Sequence, residues 1–401
     1  MSPWRRRGFP SLVTSATVSE VGSQVSVLVL PVIAATVLAA TPWEMGVLSA
    51  AGMAPFLVVG LPAGALVDRW RPRRVMVVCD LVRALLLVTV PLTAWLGGFS
   101  PGQLVAVAFA VGVATVFGDV ASQSILPGLV DRDDLVRANS VLMTGATAAQ
   151  VAGPGVGGLL LRVVSAPVAL LADVASFLLS ALLLLRVPAP PRPVPSRRRA
   201  LLAEIAEGLR YVVGHPVIRR ITVCTAGINL ASGLRDAVVV LFALRTLGLS
   251  PSTLGLTLSV GAVGGVLGAV SAGRLADLVG QGRVVPLMAL VEVPFAALTP
   301  LADGAVLLAV SSAGVAFVAV AYNVAQVSMR QRTCPPALLG RMNASIRTVV
   351  WGTPPVGALI GGGLAGALGL ATVLWIAAGV TLLAAAPVVF SPLLRNELPL
   401  K

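Results

Sequence analysis

Long apolar runs, each closed by a short polar, basic or Pro/Gly-rich break, recur along the 401 residues of this chain from near the start to near the end. A bilayer hydrocarbon core about 30 Å thick takes about 20 apolar residues per helix, and the runs have that length. Cutting at the breaks predicts helices over residues 11–39, 44–66, 74–96, 102–125, 138–161 and 166–186. A second set of six follows over 217–245, 252–275, 283–301, 304–329, 341–366 and 369–393. The expected fold class is therefore an all-α membrane protein of twelve transmembrane helices, arranged as two pseudo-symmetric six-helix bundles. Expected domains are an N-terminal bundle over 1–186, a cytoplasmic linker with an amphipathic helix over 187–215, and a C-terminal bundle over 216–401.

A short motif ties the two sets together. Gly64-Ala65-Leu66-Val67-Asp68 and Gly273-Arg274-Leu275-Ala276-Asp277 share the pattern G-x-L-x-D, and each closes an apolar run just before a polar turn. Self-similarity at matching places in two halves is the mark of a duplicated chain. Between the halves, Pro188, Pro190, Pro191, Pro193 and Pro195 precede Arg197-Arg198-Arg199 and the amphipathic stretch Leu201 to Val213. Proline-rich segments are semi-rigid spacers, and a helix with Arg and Glu on one side and Leu, Ile and Val on the other suits a membrane surface.

Composition agrees with the runs. Hydrophobic residues make up 57% of the chain and charged residues only 11%, against roughly 25% charged in soluble domains, and the mean hydropathy is +0.95. The net charge of +13 raises the question of nucleic acid, and the placement of the basic residues answers it. Arg5 to Arg7, Arg69 to Arg74, Arg132 and Arg137, the linker arginines, Arg274 and Arg283, Arg330 to Arg347, and Arg395 with Lys401 fall at alternate breaks, with Arg162 and Arg245 the exceptions. By the positive-inside rule this places both termini and the linker on the cytoplasmic side of the membrane. No long polar stretch exists to form a nucleic-acid-binding domain.

The Arg5-Arg6-Arg7-Gly8-Phe9 start resembles a twin-arginine signal, but the following apolar run is too long for one and holds Glu20. Cys79, Cys224 and Cys334 all map to the cytoplasmic side, so no structural disulfide is expected. The single histidine, His215, sits where a helix begins and reads as a helix-start residue rather than a ligand. There is no phosphate-cradling G-x-x-x-x-G-K-[ST] and no metal-ligand cluster, so neither an enzyme, a cofactor nor a bound metal is expected.

Over its whole length the chain resembles the major facilitator superfamily. The stretch Gly64-Ala65-Leu66-Val67-Asp68-Arg69-Trp70-Arg71-Pro72-Arg73-Arg74 resembles that family's cytoplasmic signature, with a partial copy at Gly273 to Asp277. Gln150-Val151-Ala152-Gly153-Pro154-Gly155-Val156-Gly157-Gly158 resembles its antiporter motif, which is typical of exporters. Leu126-Pro127-Gly128, Arg137-Ala138-Asn139-Ser140, Ser176-Phe177 and Glu207-Gly208-Leu209-Arg210-Tyr211 look like the bacterial exporters of siderophores and macrolide-type drugs. The resemblance implies a gating latch made by Gly64, Asp68, Arg69, Arg73, Arg74, Gly273 and Asp277, although Pro72 stands where a basic residue is common. It also implies that the first, fourth, seventh and tenth helices line a central cavity.

Independently of the family, the glycines at 153, 157 and 158 permit close helix packing and Pro154 removes one backbone hydrogen bond. A counterpart occurs at Gly352-Thr353-Pro354-Pro355-Val356-Gly357 and Gly361-Gly362-Gly363. Charged residues inside apolar helices are functional candidates by default. Glu20 lies near the middle of the first helix with Gln24 one turn on, and is the leading proton-coupling candidate, followed by Asp119 and Asp236. Asp80 and Arg83, three apart, read as a local pair. Arg235 and Asp236 are adjacent, about 100° apart on a helix, and are not expected to neutralise one another. Gln24, Gln123, Asn229, Arg235, Tyr322, Asn323 and Gln326 are the candidate cavity groups, while Asp173 and Glu292 read as structural or partner-facing. Aromatic residues are scarce at 4%, which speaks against an aromatic cage for cationic ligands.

These features point to a monomeric secondary transporter in a lipid bilayer that exports an amphipathic small molecule, an antibiotic, drug or siderophore, in exchange for protons. Two other readings stay open on sequence alone: a proton-coupled importer of a small solute, and a non-transporting membrane sensor or scaffold.

Overall fold

A computed structural model describes residues 4, 6, 8–67, 69–131, 134–188, 201–335 and 338–391. Asp68, Arg132, most of the proline–arginine linker and the chain's basic C-terminal residues lie outside the described residues. The chain is all-α. In the first half the helices are α1 (Phe9–Thr36), α2 (Pro42–Val58), α3 (Gly60–Val67), α4 (Pro72–Leu96), α5 (Pro101–Ile125), α6 (Leu135–Val163), α7 (Ala166–Ala169) and α8 (Leu171–Leu184). In the second they are α9 (Leu201–Gly214), α10 (Pro216–Leu241), α11 (Pro251–Val279), α12 (Gln281–Leu298), α13 (Ala305–Thr333), α14 (Leu339–Leu368) and α15 (Leu370–Val389).

Local chemistry sets the ends. Thr41 and Glu44 form a reciprocal capping box at the start of α2, satisfying two backbone donors that a helix start leaves open. Pro10, Pro42, Pro72, Pro101 and Pro216 sit in the first turn of their helices, where the missing N–H costs nothing. His215 is the N-cap of α10, its Nδ1 accepting from the Ile218 N–H at 3.4 Å. Desolvation holds its pKa below the ordinary histidine value, and the neutral ring is the form that can accept this bond. Gly8, at φ 89°, starts α1 in a left-handed conformation, and a Cβ there would collide with Pro188.

The apolar run expected as one helix over 44–66 is broken. Its helix stops at Val58 and restarts at Gly60. Pro62 has no N–H to donate and its ring crowds the carbonyl four residues earlier, at Val58, while Gly60 lowers the barrier to departing from helical backbone. The run over 166–186 is likewise divided, at Leu170. Among the described residues nine helices are long and apolar enough to cross a membrane. α2, α3, α6 and α14 are not in that set. α2 and α3 are short pieces of one interrupted run, and α6 and α14 are diluted with Gly, Ala, Ser, Thr and Pro.

The chain separates into two compact units, one comprising Met1–Ser196 with Ser250–Ser259, the other Arg197–Leu249 with Val260–Lys401. Each is built alike. In the first, α1 packs on α6 and α8, and α4 on α5 and α8. In the second, α10 packs on α14 and α15, and α12 on α13 and α15. The diluted helices pack closely through their glycines. A Cβ on Gly153 would strike the Gln24 side chain, one on Gly158 would sit 2.8 Å from the Ser252 carbonyl oxygen, and one on Gly255 would sit 2.5 Å from that of Pro154. In the second unit, Gly233 leaves no room for a Cβ against the Pro354 carbonyl, nor Gly357 against that of Leu230. In lipid, where burying apolar surface gives little drive, such backbone approach supplies the dispersion contacts that hold helices together.

The amphipathic helix α9 forms and packs on α14. Gly208 abuts the Arg341 backbone of α14, Glu207 Oε1 pairs with Arg341 Nη1 at 2.7 Å, Val212 is buried, and the Tyr211 hydroxyl donates to the Thr333 carbonyl. Helix packing within its own unit takes part of the apolar side, while Leu209 and Val213 stay exposed.

Gly233→Val and Gly357→Val are expected to lower the thermal unfolding midpoint of the detergent-solubilised protein, each overpacking costing about 1–3 kcal/mol, whereas Gly64→Ala, with nothing within 4 Å of its Cβ, should leave the midpoint within experimental error. His215 has a folded-state pKa below its unfolded value, so its cap stabilises the fold at neutral pH and is lost as pH falls through that lowered pKa. His215→Asn keeps a capping side chain that does not titrate. The variant should lose less stability than the parent between about pH 8 and about pH 5, as read by the same melting experiment.

Candidate functional site

In the first unit, α1 carries Glu20 and Gln24 one turn apart, both half-buried, and Gln24 Nε2 donates to Glu20 Oε1 at 2.8 Å. The helical spacing thus places the two on one face. Behind Gln24, Gly153 of α6 allows the close approach, so the antiporter-like stretch and the acidic face of α1 touch through the Gln24 stem. Gly157 meets Val25 and Leu28 of the same helix, and Gly155 faces Ser259. Asp119 and Gln123, one turn apart on α5, are exposed. The expected local pair forms: Arg83 bonds Asp80, and its guanidinium lies 4.2 Å from the centre of the Phe177 ring.

That pair belongs to a larger buried cluster shared by α1, α4 and α8. Asp173 accepts from Ser26 on α1 and, at 3.0 Å, from Ser176; Asp80 accepts from Ser180 at 2.7 Å. Asp173 is 1% exposed, so it is an internal group and a partner-facing role is overturned. Burying a carboxylate without such donors costs several kcal/mol, and the serines of α1 and α8 supply them. A single acid within an apolar run was itself the available signal; what the acid meets depends on which helices pack together.

Around the signature turn, Gly64 is half-buried, Arg69 and Arg74 are exposed, and Arg73 is half-buried, while Asp68 lies outside the described residues. Arg69, Trp70, Arg71 and Arg74 at the start of α4, with Val75, Val78, Cys79 and Phe117, line a cavity of about 470 Å³. Gly273 and Asp277, the partial copy, are exposed on α11.

In the second unit Asn229 Nδ2 donates to the Val350 carbonyl of α14 at 2.9 Å, the Tyr322 and Thr225 hydroxyls lie 2.9 Å apart, and Gln326 Nε2 donates to Asn323 Oδ1 at 3.2 Å. Tyr322 and Gln326 are buried and Asn323 is exposed. The first two of these bonds tie α10 to α14 and α13. Arg235 and Asp236, expected to diverge, instead pair: Nε and Nη2 of Arg235 both donate to Asp236 Oδ1, at 3.2 and 3.1 Å. Their Cβ atoms do diverge, but the long arginine stem folds back across the intervening arc. Glu292 on α12 is 3% exposed and lines a small cavity with Arg235, so it too faces inward rather than toward a partner.

Residues 1–398 match the family described as "Transmembrane secretion effector". The chain is 31% identical to "Multidrug efflux pump Tap" of Mycolicibacterium fortuitum over 88% of each chain, and 29% identical to the protein of that name in Mycobacterium tuberculosis (strain ATCC 25618 / H37Rv), over 82% of this chain and 80% of the relative. The crystal structure of the nucleoside transporter NupG superposes with a TM-score of 0.76 at 14% identity, covering 95% of this chain and 98% of that one, which speaks to fold alone. With a match that runs nearly end to end and an all-α body rich in membrane-length helices, the chain belongs to the transmembrane secretion effector family of major facilitator superfamily transporters, multi-pass membrane proteins that move solutes and are not enzymes.

Proposed function

We propose that the protein is a secondary active exporter of an amphipathic small molecule, an antibiotic, drug or siderophore, in exchange for protons. The observation that carries this reading is the near full-length similarity to proteins named as multidrug efflux pumps. The Gly153–Gly158 stretch, similar to an antiporter motif, supports the outward direction, and the scarcity of aromatic residues supports a mostly aliphatic binding path.

In this reading the chain spans a bacterial plasma membrane twelve times as a monomer. α2 with α3, α6 and α14 complete the set that length and hydropathy alone pick out. Both termini and the linker are cytoplasmic, following the arginine distribution. Residues 1–186 and 216–401 act as the two halves that alternate access, and the Asp68 turn latches the inner face. Glu20 loads and releases the proton: a glutamate hydrogen-bonded to Gln24 on a half-buried helix face keeps an acceptor in both protonation states. Asp119 and Asp236 are the next candidates, and Gln24, Gln123, Asn229, Arg235, Tyr322, Asn323 and Gln326 contribute polar contacts to the path. The basic surface serves the membrane orientation and not nucleic acid.

In a pump-deficient bacterium, expression of the wild-type chain is expected to lower accumulation of at least one compound in a panel of dyes and antibiotics. Glu20→Gln and a protonophore should each return accumulation to the level of cells carrying empty vector. Normal export by Glu20→Gln would move the proton to Asp119 or Asp236. An absence of export by wild type across the panel would sink the exporter reading.

A further inference from the structure

Each unit contains one arginine close to two carboxylates, but the two sets are finished differently. In the first unit Asp80 holds Arg83, and serines hydrogen-bond both Asp80 and Asp173. In the second, Arg235 is on Asp236 while Glu292, almost fully buried in the middle of α12, has an Oε2 atom with no hydrogen-bond partner. Glu292 and Arg235 line the same cavity, together with Ser232 of α10, Thr299 at the end of α12 and Thr381 of α15. It has room for about one water, roughly 10 Å³, the least that lets a water sit among polar groups.

Two ionised carboxylates beside one guanidinium leave a surplus negative charge in an apolar interior. An uncompensated buried charge costs several kcal/mol, and the carboxylate that lacks donors bears it. Asp236 has 38% of its side chain exposed and two hydrogen bonds from Arg235; Glu292 is almost fully buried. The charge that binding one proton removes is therefore removed most favourably at Glu292. Arg235 uses only Nε and Nη2 on Asp236, so its planar fork keeps further donors that can serve Glu292.

We propose that Glu292 is a proton-carrying carboxylate of the second unit and that Arg235 is its exchangeable counter-ion, shared with Asp236. With Arg235 on Asp236, as seen here, Glu292 is the neutral acid. When Arg235 turns to Glu292, the carboxyl O–H bond breaks, the proton passes to the cavity water, and the carboxylate that remains is paired. Reversal returns the proton to Glu292 and Arg235 to Asp236. Among the described residues, Cys224 on α10 and Tyr322 on α13 also lie within electrostatic reach of Glu292, and the α15 residues lining the cavity include Thr381 and no ionisable side chain. This rests on the proton-antiport reading for its role in transport, though not for the protonation itself.

The full chain in lipid, without substrate, is stepped between acidic and alkaline pH while its infrared difference spectrum is recorded. A component of the protonated-carboxyl band is expected in wild type, absent from Glu292→Gln, and retained in Asp173→Asn and Glu20→Gln. In Arg235→Gln, which leaves Glu292 in place, the band should persist to higher pH because the competing cation is gone. Survival of the full band in Glu292→Gln, or an unmoved midpoint in Arg235→Gln, overturns the proposal, and the second variant serves if the first does not fold. A separate assay in proteoliposomes, with ethidium as the probe and an internal pH dye, tests coupling. Ethidium-driven proton movement in wild type that is lost in Glu292→Gln places the group in the cycle. Movement that persists in the variant removes it from the cycle, and no movement in wild type shows that ethidium is not exchanged for protons while leaving the infrared result to stand alone.

Discussion

Direct contact between helix backbones, at positions where no side chain intervenes, is the constraint on which the rest of this protein depends. In water a helix is drawn into a fold by hiding its apolar face, but every face of a membrane helix is already in an apolar medium. What distinguishes the right neighbour is how many atoms come into van der Waals range. Gly233 against Pro354, Gly357 against Leu230, and Gly158 against Ser252 give that range by omitting a Cβ. Close packing of this kind, of α6 on α1 through Gly153 and Gly157 and of α10 on α14, holds the polar faces of α1 and α10 in place.

The same contacts explain why charged groups are tolerated. Once α1, α4 and α8 are fixed, Ser26, Ser176 and Ser180 point at Asp173 and Asp80, and the hydrogen bonds offset the loss of water. In the second unit α10, α12 and α15 make the equivalent arrangement, yet place fewer donors around Glu292. A cluster whose carboxylates all have donors suits a structural role, even though Arg83 Nε in it has no hydrogen-bond partner. A carboxylate held short of partners responds to a change in its neighbours, and a transporter driven by an ion gradient needs at least one such responsive group.

The signature turn and the antiporter-like stretch sit differently in this picture. Gly153 to Gly158 is absorbed into the packing of α6 on α1 and on the first turns of α11, so it acts through the positions of the helices it joins. The arginines after α3 instead surround an open cavity beside Trp70 and Phe117. One motif governs distance between helices, the other the charge at a helix start.

By itself the sequence determined that the chain is helical and built for lipid, because run length and hydropathy answer to bilayer thickness and need no knowledge of neighbours. It also marked the start of α10 through His215, and it placed Glu20 beside Gln24 and Asp80 beside Arg83, since i, i+3 and i, i+4 relations are local. It missed the break at Val59, where a proline and a glycine act together, and the pairing of Arg235 with Asp236, which depends on how a long side chain folds back. Only the tertiary structure decided that α9 packs on α14, that Asp173 meets Ser26 from a helix 147 residues earlier, and that Glu292 lies buried beside Arg235 with an unpartnered oxygen. Those facts depend on which helices touch, and that choice is made by packing summed over many contacts rather than by any pattern along one helix.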